Sequence, residues 1–436
     1  MILIFAEKIT NRIRYTFNLM LSELLGVNID FTDDVEYFKN FNGAKISYHS
    51  HQISDELFFV SKPILFERNI NEIAINTFDY EGNKVFFPTN KNSALPFDPF
   101  AASFYLVSRY EEYLPHINDL HGRFDGKESL AYKSQPLGLT RPLVNIWANK
   151  IKQIIQQKYP EIIFPKKKFE FISTIDIDNV YAYKEKGVMR TLGAYYKSFS
   201  KNNMEEVVER TRVLTGKEAD PYDTYDYQLE LQKKYNFKSI YFFLLANYGL
   251  NDKNVSSKNI KFQSLIKNIS DYADVGIHPG YGSNSDKSKL QKEIKRLENI
   301  LHRPVTKSRQ HFLILNFPDT YRNLIEMDIM DDYTMGYATM AGFRASICTP
   351  FYFYDLDLDV PTKLKIHPFV VMDATLKHYM KLNPDEAIQH IYNLIGEVKK
   401  VDGTFISLWH NETMSENKMW KGWRKVYENM VEYVIK

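Results

Sequence analysis

Asp176 and Asp178 stand two residues apart at the end of an apolar run, Thr174-Ile-Asp176-Ile-Asp178-Asn179. On a β-strand, residues two apart share a side, so both carboxylates project together while Ile175 and Ile177 pack the other way. Two carboxylates at one strand end repel unless a cation or a proton lies between them, which makes the pair a metal-and-base signal. Three further apolar segments end in residues of similar chemistry: Gly276-Ile-His278-Pro279, Ser308-Arg309-Gln310-His311 and Leu408-Trp409-His410-Asn411. An imidazole beside a carboxylate is a borderline-soft donor set that suits Zn²⁺. Arg309 reads either as a surface ion-pair partner or as a clamp holding a catalytic carboxylate ionised and oriented. His410, delivered by Phe405-Ile-Ser-Leu-Trp409, fits a general acid working near neutral pH. The order of acid pair, histidine, arginine and second histidine argues for metal-assisted hydrolysis.

Segments spread over more than half the chain meet only if folded elements bring them to one place. From Lys168 onward, strands and helices alternate. Phe169 to Asp178 reads as a strand, and Lys238 to Leu245 as a nearly continuous apolar strand of the buried parallel type. A helix carrying Phe262, Ile266 and Ile269 follows, then a strand Val275 to His278 and a helix from about Asp286 with Leu290, Ile294 and Leu297. Val305 to Phe312 is expected as the next strand. Asn383-Pro384 is an N-cap and N1 pair, and Thr404 to Trp409 a late strand before a terminal helix. Repeated βα units imply a parallel sheet or barrel with function at the strand C-termini. The segment Lys184 to Asp226 is a long insertion after the first of these strands. Its loop Asp220 to Asp226 is expected to wall a cleft.

Before this region the pattern differs. Lys45 to His49 and Glu56 to Ser61 read as strands, and helices are expected after Asp98-Pro99 and from Pro142 to Lys158. The prolyl, basic stretch Tyr159 to Lys168 is the expected boundary, giving an α+β domain over 1–165 and a larger domain over 166–436. The 436 residues suffice for two such bodies. With 56 Lys+Arg against 54 Asp+Glu, the net charge of +2 provides no global field for nucleic acid or for a membrane. The N-terminal apolar run is too short for a signal h-region, and no stretch approaches the ~18 apolar residues of a membrane span. A cytoplasmic location is the expectation. The single cysteine, Cys348, excludes an intramolecular disulfide and a Cys-rich zinc site, and Ile347-Cys348-Thr349 reads as strand interior. The 15% aromatic content, with 30 Tyr and 30 Phe, suits a carbohydrate site but is explained as well by core packing.

In order and spacing, the four segments resemble the motifs of the polysaccharide deacetylase family (the NodB-homology domain, carbohydrate esterase family 4). The resemblance covers roughly Lys168 to the C-terminus. It implies a deformed (β/α) barrel, preceded here by the smaller α+β domain, with Asp176 as base, Asp178 and His278 as metal ligands, and His410 as acid. The arginine motif maps onto Arg309, which follows His302-Arg-Pro-Val305. The cofactor implied is a divalent metal, Zn²⁺ first, and the partner an acetylated carbohydrate, with Trp409 and Tyr281 as substrate contacts. The chain departs from the family in two places. Gly282 occupies the position of the second motif histidine and has no side chain to ligate a metal, so His311 and Ser283 are the leading candidates for the third metal position. No clean fourth motif appears, and Asp332 and Asp373 are candidates for its carboxylate. Two other functions share parts of this pattern: a glycosyltransferase holding a nucleotide-sugar metal on Asp176 and Asp178, and a catalytically inactive carbohydrate-binding relative, which Gly282 suggests.

Overall fold

The computed structural model describes residues 1–134 and 136–436. They form a mixed α/β structure that divides by internal contacts into two compact units. The first comprises Met1–Glu170, Leu315–Val370 and Leu394–Phe405, and the second Phe171–Ile314, Val371–Asn393 and Ile406–Lys436. Among the described residues, no helix is long and apolar enough to cross a membrane.

The first unit is built on a four-stranded parallel sheet ordered Ile29–Thr32, Ile2–Phe5, Lys45–His49 and Leu57–Val60. A helix over Pro99–Val107 is buried along its whole length, so its pattern is apolar all round rather than amphipathic. Asp98 starts it, accepting hydrogen bonds from the Phe100 and Ala101 amides at 3.0 Å while Pro99 takes the first helical position. The same carboxylate accepts from Tyr48 Oη at 2.6 Å and from the Lys62 amide at 3.0 Å. A second buried polar cluster joins Arg109, Glu111, Glu112 and Arg344 through ion pairs that leave none of these charges unmatched. Cys348 is fully buried, and burial pushes its thiol up to about 12. Gly403 lies so close that a Cβ there would sit 2.3 Å from Cys348 Sγ.

The second unit carries a row of strands ordered Lys307–Ser308, Asp274–His278, Lys238–Leu244, Glu170–Ile177, Thr404–His410 and Val371–Met372. The pairs recorded by register are parallel. Among the described residues this row does not close on itself. Helices separate the strands in sequence and bury the expected faces: Phe262, Ile266 and Ile269 on Ile260–Ser270, and Leu290, Ile294 and Leu297 on Lys287–Leu301. Their starts are capped by Asn259 and Asp286. Asn383 and Glu386 exchange hydrogen bonds at 2.9 and 3.0 Å, a capping box at the Pro384–Lys399 helix.

Register determines where the strand ends fall. Ile177 pairs with Phe243, which puts Asp178 level with Leu244, and Leu244 pairs with His278. Ser308 pairs with Ile277, so Arg309 comes level with His278. Leu408 pairs with Met372, bringing Trp409 level with Asp373. The strand expected over Val305 to Phe312 is short, only Lys307–Ser308. Beyond it the chain still follows its neighbour, through hydrogen bonds from the Arg309 amide to Ile277 O and from the His311 amide to Pro279 O, both 3.1 Å. It then turns through Phe312 and Leu313, both left-handed at φ 59° and 56°. Non-glycine residues adopt that conformation at about 1–2 kcal/mol each, so pairing cannot continue and the strand stops.

Candidate metal centre at the strand ends

Asp178, His278 and His311 each present one donor atom, and the three atoms lie within 4.8 Å of one another. His278 Nε2 is 3.2 Å from Asp178 Oδ1, and His311 Nε2 is 3.4 Å from Asp178 Oδ2. The far side of each ring is already engaged. His278 Nδ1 is 2.6 Å from the Arg309 carbonyl, and His311 Nδ1 is 2.9 Å from Asp252 Oδ1. Both partners only accept, so each Nδ1 carries a proton, and Nε2 is left to face Asp178. Asp178 Oδ1 is buried and receives no aligned hydrogen bond. Two imidazole Nε2 atoms and a buried carboxylate oxygen converge on one point, an arrangement that calls for a proton or a cation between them. The donor set fits a divalent ion of borderline softness.

Electrostatics without a cation point the same way. Burial acts to raise the Asp178 pKa, but His311, His278 and His410 together hold it well below the usual carboxylate range. Burial opposes charging of His311, yet Asp178 and Asp252 outweigh it and push its pKa up to about 9. The cluster therefore favours a positive charge between these groups. A bound divalent ion would supply that charge and keep the ring neutral.

Asp176 lies beside this trio. Its Oδ2 is 3.7 Å from His278 Nε2, and its Oδ1 is 3.0 Å from Arg309 Nη1. Arg309 is fully buried, also donates to Thr174 Oγ1 at 2.6 Å, and lies 4.8 Å from the centre of the Phe242 ring. Thr174 and Asp176 share one side of their strand, so one guanidinium reaches both. The surface reading of Arg309 does not hold, because the sheet encloses the side chain.

His410 approaches Asp178 from another strand, with Nε2 3.7 Å from Asp178 Oδ2. Asp373 fixes it twice, receiving the backbone amide on Oδ2 and Nδ1–H on Oδ1, both at 2.8 Å. Burial disfavours the charged ring, but Asp373, with Asp178 and Asp176, raises its pKa well above the ordinary histidine value. Burial also pushes nearby Glu412 up to about 7, with Asp178 and Asp373 adding to the effect. Of the two carboxylates considered for the fourth motif, Asp373 is the one that meets His410. Asp332 instead accepts from the Thr334 amide and hydroxyl at 2.9 and 2.8 Å.

The remaining candidates separate. For the third metal position, His311 joins the trio, whereas Ser283 donates its hydroxyl to Glu293 Oε1 at 2.7 Å. Tyr281 is half-buried, gives its amide to Asp252 Oδ1 at 3.0 Å and packs edge-on against Phe312. Trp409 requires a correction as a substrate contact. It is 0% exposed and packs against Tyr427 and Trp423, because strand alternation turns it away from the face that His410 reaches. The Asp220 loop does border the neighbourhood of His410: Asn411, which follows it, donates to Tyr222 O at 3.0 Å and accepts from Thr224 Oγ1 at 3.0 Å. Asp252 was missed in sequence. It stands in the loop after Lys238–Leu244, and its position after a strand of the row was the only signal that could have marked it. Gly280 permits its approach, since a Cβ there would meet Ala246 Cβ at 2.5 Å and Asp252 Oδ2 at 3.1 Å.

Comparison with known proteins gives two findings. Residues 2–160 match the model of a family of unknown function, DUF7033, and no curated protein matches the chain. Among solved structures, a candidate polysaccharide deacetylase from Mycobacterium smegmatis aligns over 63% of this chain and 86% of its own, at 13% identity and a TM-score of 0.40. A polysaccharide deacetylase from Bacillus cereus aligns over 60% and 88%, at 12% identity and a TM-score of 0.29. A carbohydrate esterase family 4 pseudoenzyme from Bacillus anthracis aligns over 60% and 61%, at 15% identity and a TM-score of 0.28.

Proposed function

We propose that the chain is a metal-dependent hydrolase that removes acetyl groups from an N- or O-acetylated carbohydrate. The observation that carries this reading is the convergence of a carboxylate and a histidine, each oriented by its own buried partner, on the Asp178–His278–His311 trio. Asp176 is the base and His410 the acid. When bound at the trio, a divalent ion, Zn²⁺ by donor chemistry, supplies positive charge for the acetyl carbonyl and its developing oxyanion.

Asp176 Oδ2 takes the proton of the attacking water, while Arg309 holds Oδ1 and so fixes which oxygen faces the reaction. His410 donates from Nε2 to the leaving nitrogen or oxygen. Asp373, bonded to Nδ1, sets the tautomer and stabilises the charged ring. His311 fills the position that Gly282 leaves without a ligand. Tyr281, half-buried near the trio, is the substrate contact retained from the sequence. The same reading takes 166–436 as a deformed barrel of the polysaccharide deacetylase type, and 1–165 as an α+β domain to which it assigns no role. The family match over residues 2–160 supports a boundary near residue 160, while the first compact unit also takes in Leu315–Val370 and Leu394–Phe405.

Acetate release from a panel of N- and O-acetylated sugars tests the reading. Zinc-loaded protein should release acetate, and Asp176→Asn should stop release with zinc retained. A loaded protein that releases none would leave the inactive carbohydrate-binding reading. Manganese dependence with His278 and His410 dispensable would favour nucleotide-sugar chemistry instead.

A further inference from the structure

The helix Val188–Ser200, in the insertion after Asp178, is built inside out. Its half-buried or buried side is Arg190, Thr191, Ala194, Tyr195 and Ser198. Its outer side is Val188, Met189, Leu192, Tyr196 and Phe199, each 54% to 82% exposed. A surface helix ordinarily turns its large apolar residues inward, and the reverse leaves an apolar stripe about 20 Å long in contact with water.

Polar contacts hold the inner side in this orientation. Tyr195 Oη is 2.9 Å from Thr211 Oγ1, and Arg190 donates to the carbonyls of Asn254 and Lys253 at 3.0 and 2.7 Å. The Arg190 guanidinium also lies 4.2 Å from the centre of the Tyr248 ring. That contact brings the loop bearing exposed Tyr248 and Leu250 beside the helix and extends the apolar surface.

The charge on the helix itself has one sign. From Val188 to Lys201 the chain carries Arg190, Lys197 and Lys201 and no acidic residue. Lys197, Lys201 and Lys253 are exposed. Glu185, just before the helix, is paired with Lys261, and Glu205 is the exposed acid on the following helix. A second copy docking through this stripe would oppose cation to cation. An anionic lipid surface accepts both features, since aliphatic and aromatic side chains enter the interface while lysines meet the headgroups.

We infer that Val188–Ser200, with Tyr248 and Leu250, is a membrane-surface contact that seats the protein on anionic lipid without spanning it. The inference does not depend on the proposed reaction. Its test is sedimentation of the full chain with phosphatidylcholine vesicles, with and without about a third phosphatidylglycerol. Binding should require the anionic lipid, and Leu192→Ser/Tyr196→Ser/Phe199→Ser should weaken it by roughly tenfold or more with the unfolding midpoint unchanged. Lys197→Glu/Lys201→Glu, which leaves the apolar stripe intact, should also weaken it. His278→Ala should bind vesicles as the parent does, separating this surface from the metal centre. Absence of binding to either vesicle, or equal binding by the serine variant, overturns the inference. So does a dimer in light scattering that the serine substitutions dissociate, because a second copy would then cover the stripe.

Discussion

Replacing Asp252 should loosen a metal it does not touch. Asp252 Oδ1 receives Nδ1–H of His311 at 2.9 Å and the Tyr281 amide at 3.0 Å, and the carboxylate is largely shielded. That bond fixes the tautomer of His311 and aims Nε2 at the point shared with Asp178 and His278. Asp252→Ala removes the acceptor and frees the ring to rotate or to hold its proton on Nε2. Asp252→Asn keeps an oxygen that can accept but loses the charge that strengthens the ligand. Outer partners of ligating histidines are worth about 10–100-fold in metal affinity. The asparagine variant belongs near tenfold, about 1.4 kcal/mol, and the alanine variant near a hundredfold, about 2.7 kcal/mol. His311→Ala, which deletes the ligand, should exceed both. Competition for zinc against a chromophoric chelator reads these differences directly, and urea unfolding of each metal-free variant shows whether the fold is intact. If His311→Ala binds zinc as tightly as the parent while His278→Ala does not, the third ligand is elsewhere and the assignment fails. Unchanged affinity in Asp252→Ala would refute the orienting role alone.

Other outcomes follow from the buried charges. Arg309→Met leaves Asp176 without its cation in the sheet interior and should cost about 3–5 kcal/mol in urea unfolding, with Asp176→Asn in the same chain recovering a large part. Burial pushes Asp98 up to about 6 against the hydrogen bonds of Tyr48, Ala101, Lys62 and Phe100. From its ordinary value near 3.8 to about 6, the folded state holds more proton than the unfolded one. Stability from this group is thus present at acid pH and falls as pH rises, by about 3 kcal/mol at most. Asp98→Asn, which keeps a cap oxygen, should remove that slope when the two unfolding curves are subtracted across the window. Cys348, with its pKa pushed up to about 12, should resist a thiol-reactive disulfide reagent in the folded protein and react once the chain is unfolded in urea.

Much of the site was legible because its parts are local. Alternation within Thr174 to Asp178 set both carboxylates on one side, and the proline after His278 marked a strand end. Those signals need only a few neighbouring residues and the period of a strand. They carried Asp176, Asp178, His278, Arg309 and His410 to one edge of one row of strands. Trp409 was expected as a substrate contact and is instead core, because a residue adjacent to His410 on a strand faces the other way.

The completion of the centre was decided by tertiary structure. His311 reaches the trio because the chain follows Pro279 beyond its short strand and then turns through two left-handed residues. Asp252 reaches His311 because Gly280 leaves room, and Asp373 rather than Asp332 meets His410 because Met372 pairs with Leu408. Each depends on the register between strands distant in sequence, and register is set by packing across the whole sheet. The outward stripe of Val188–Ser200 belongs to the same class. Periodicity reveals an amphipathic helix, but only the folded chain shows which face its neighbours leave uncovered. The sequence by itself determined which residue types arrive at the strand ends, and the fold decided which of them converge on one point and which orient one another.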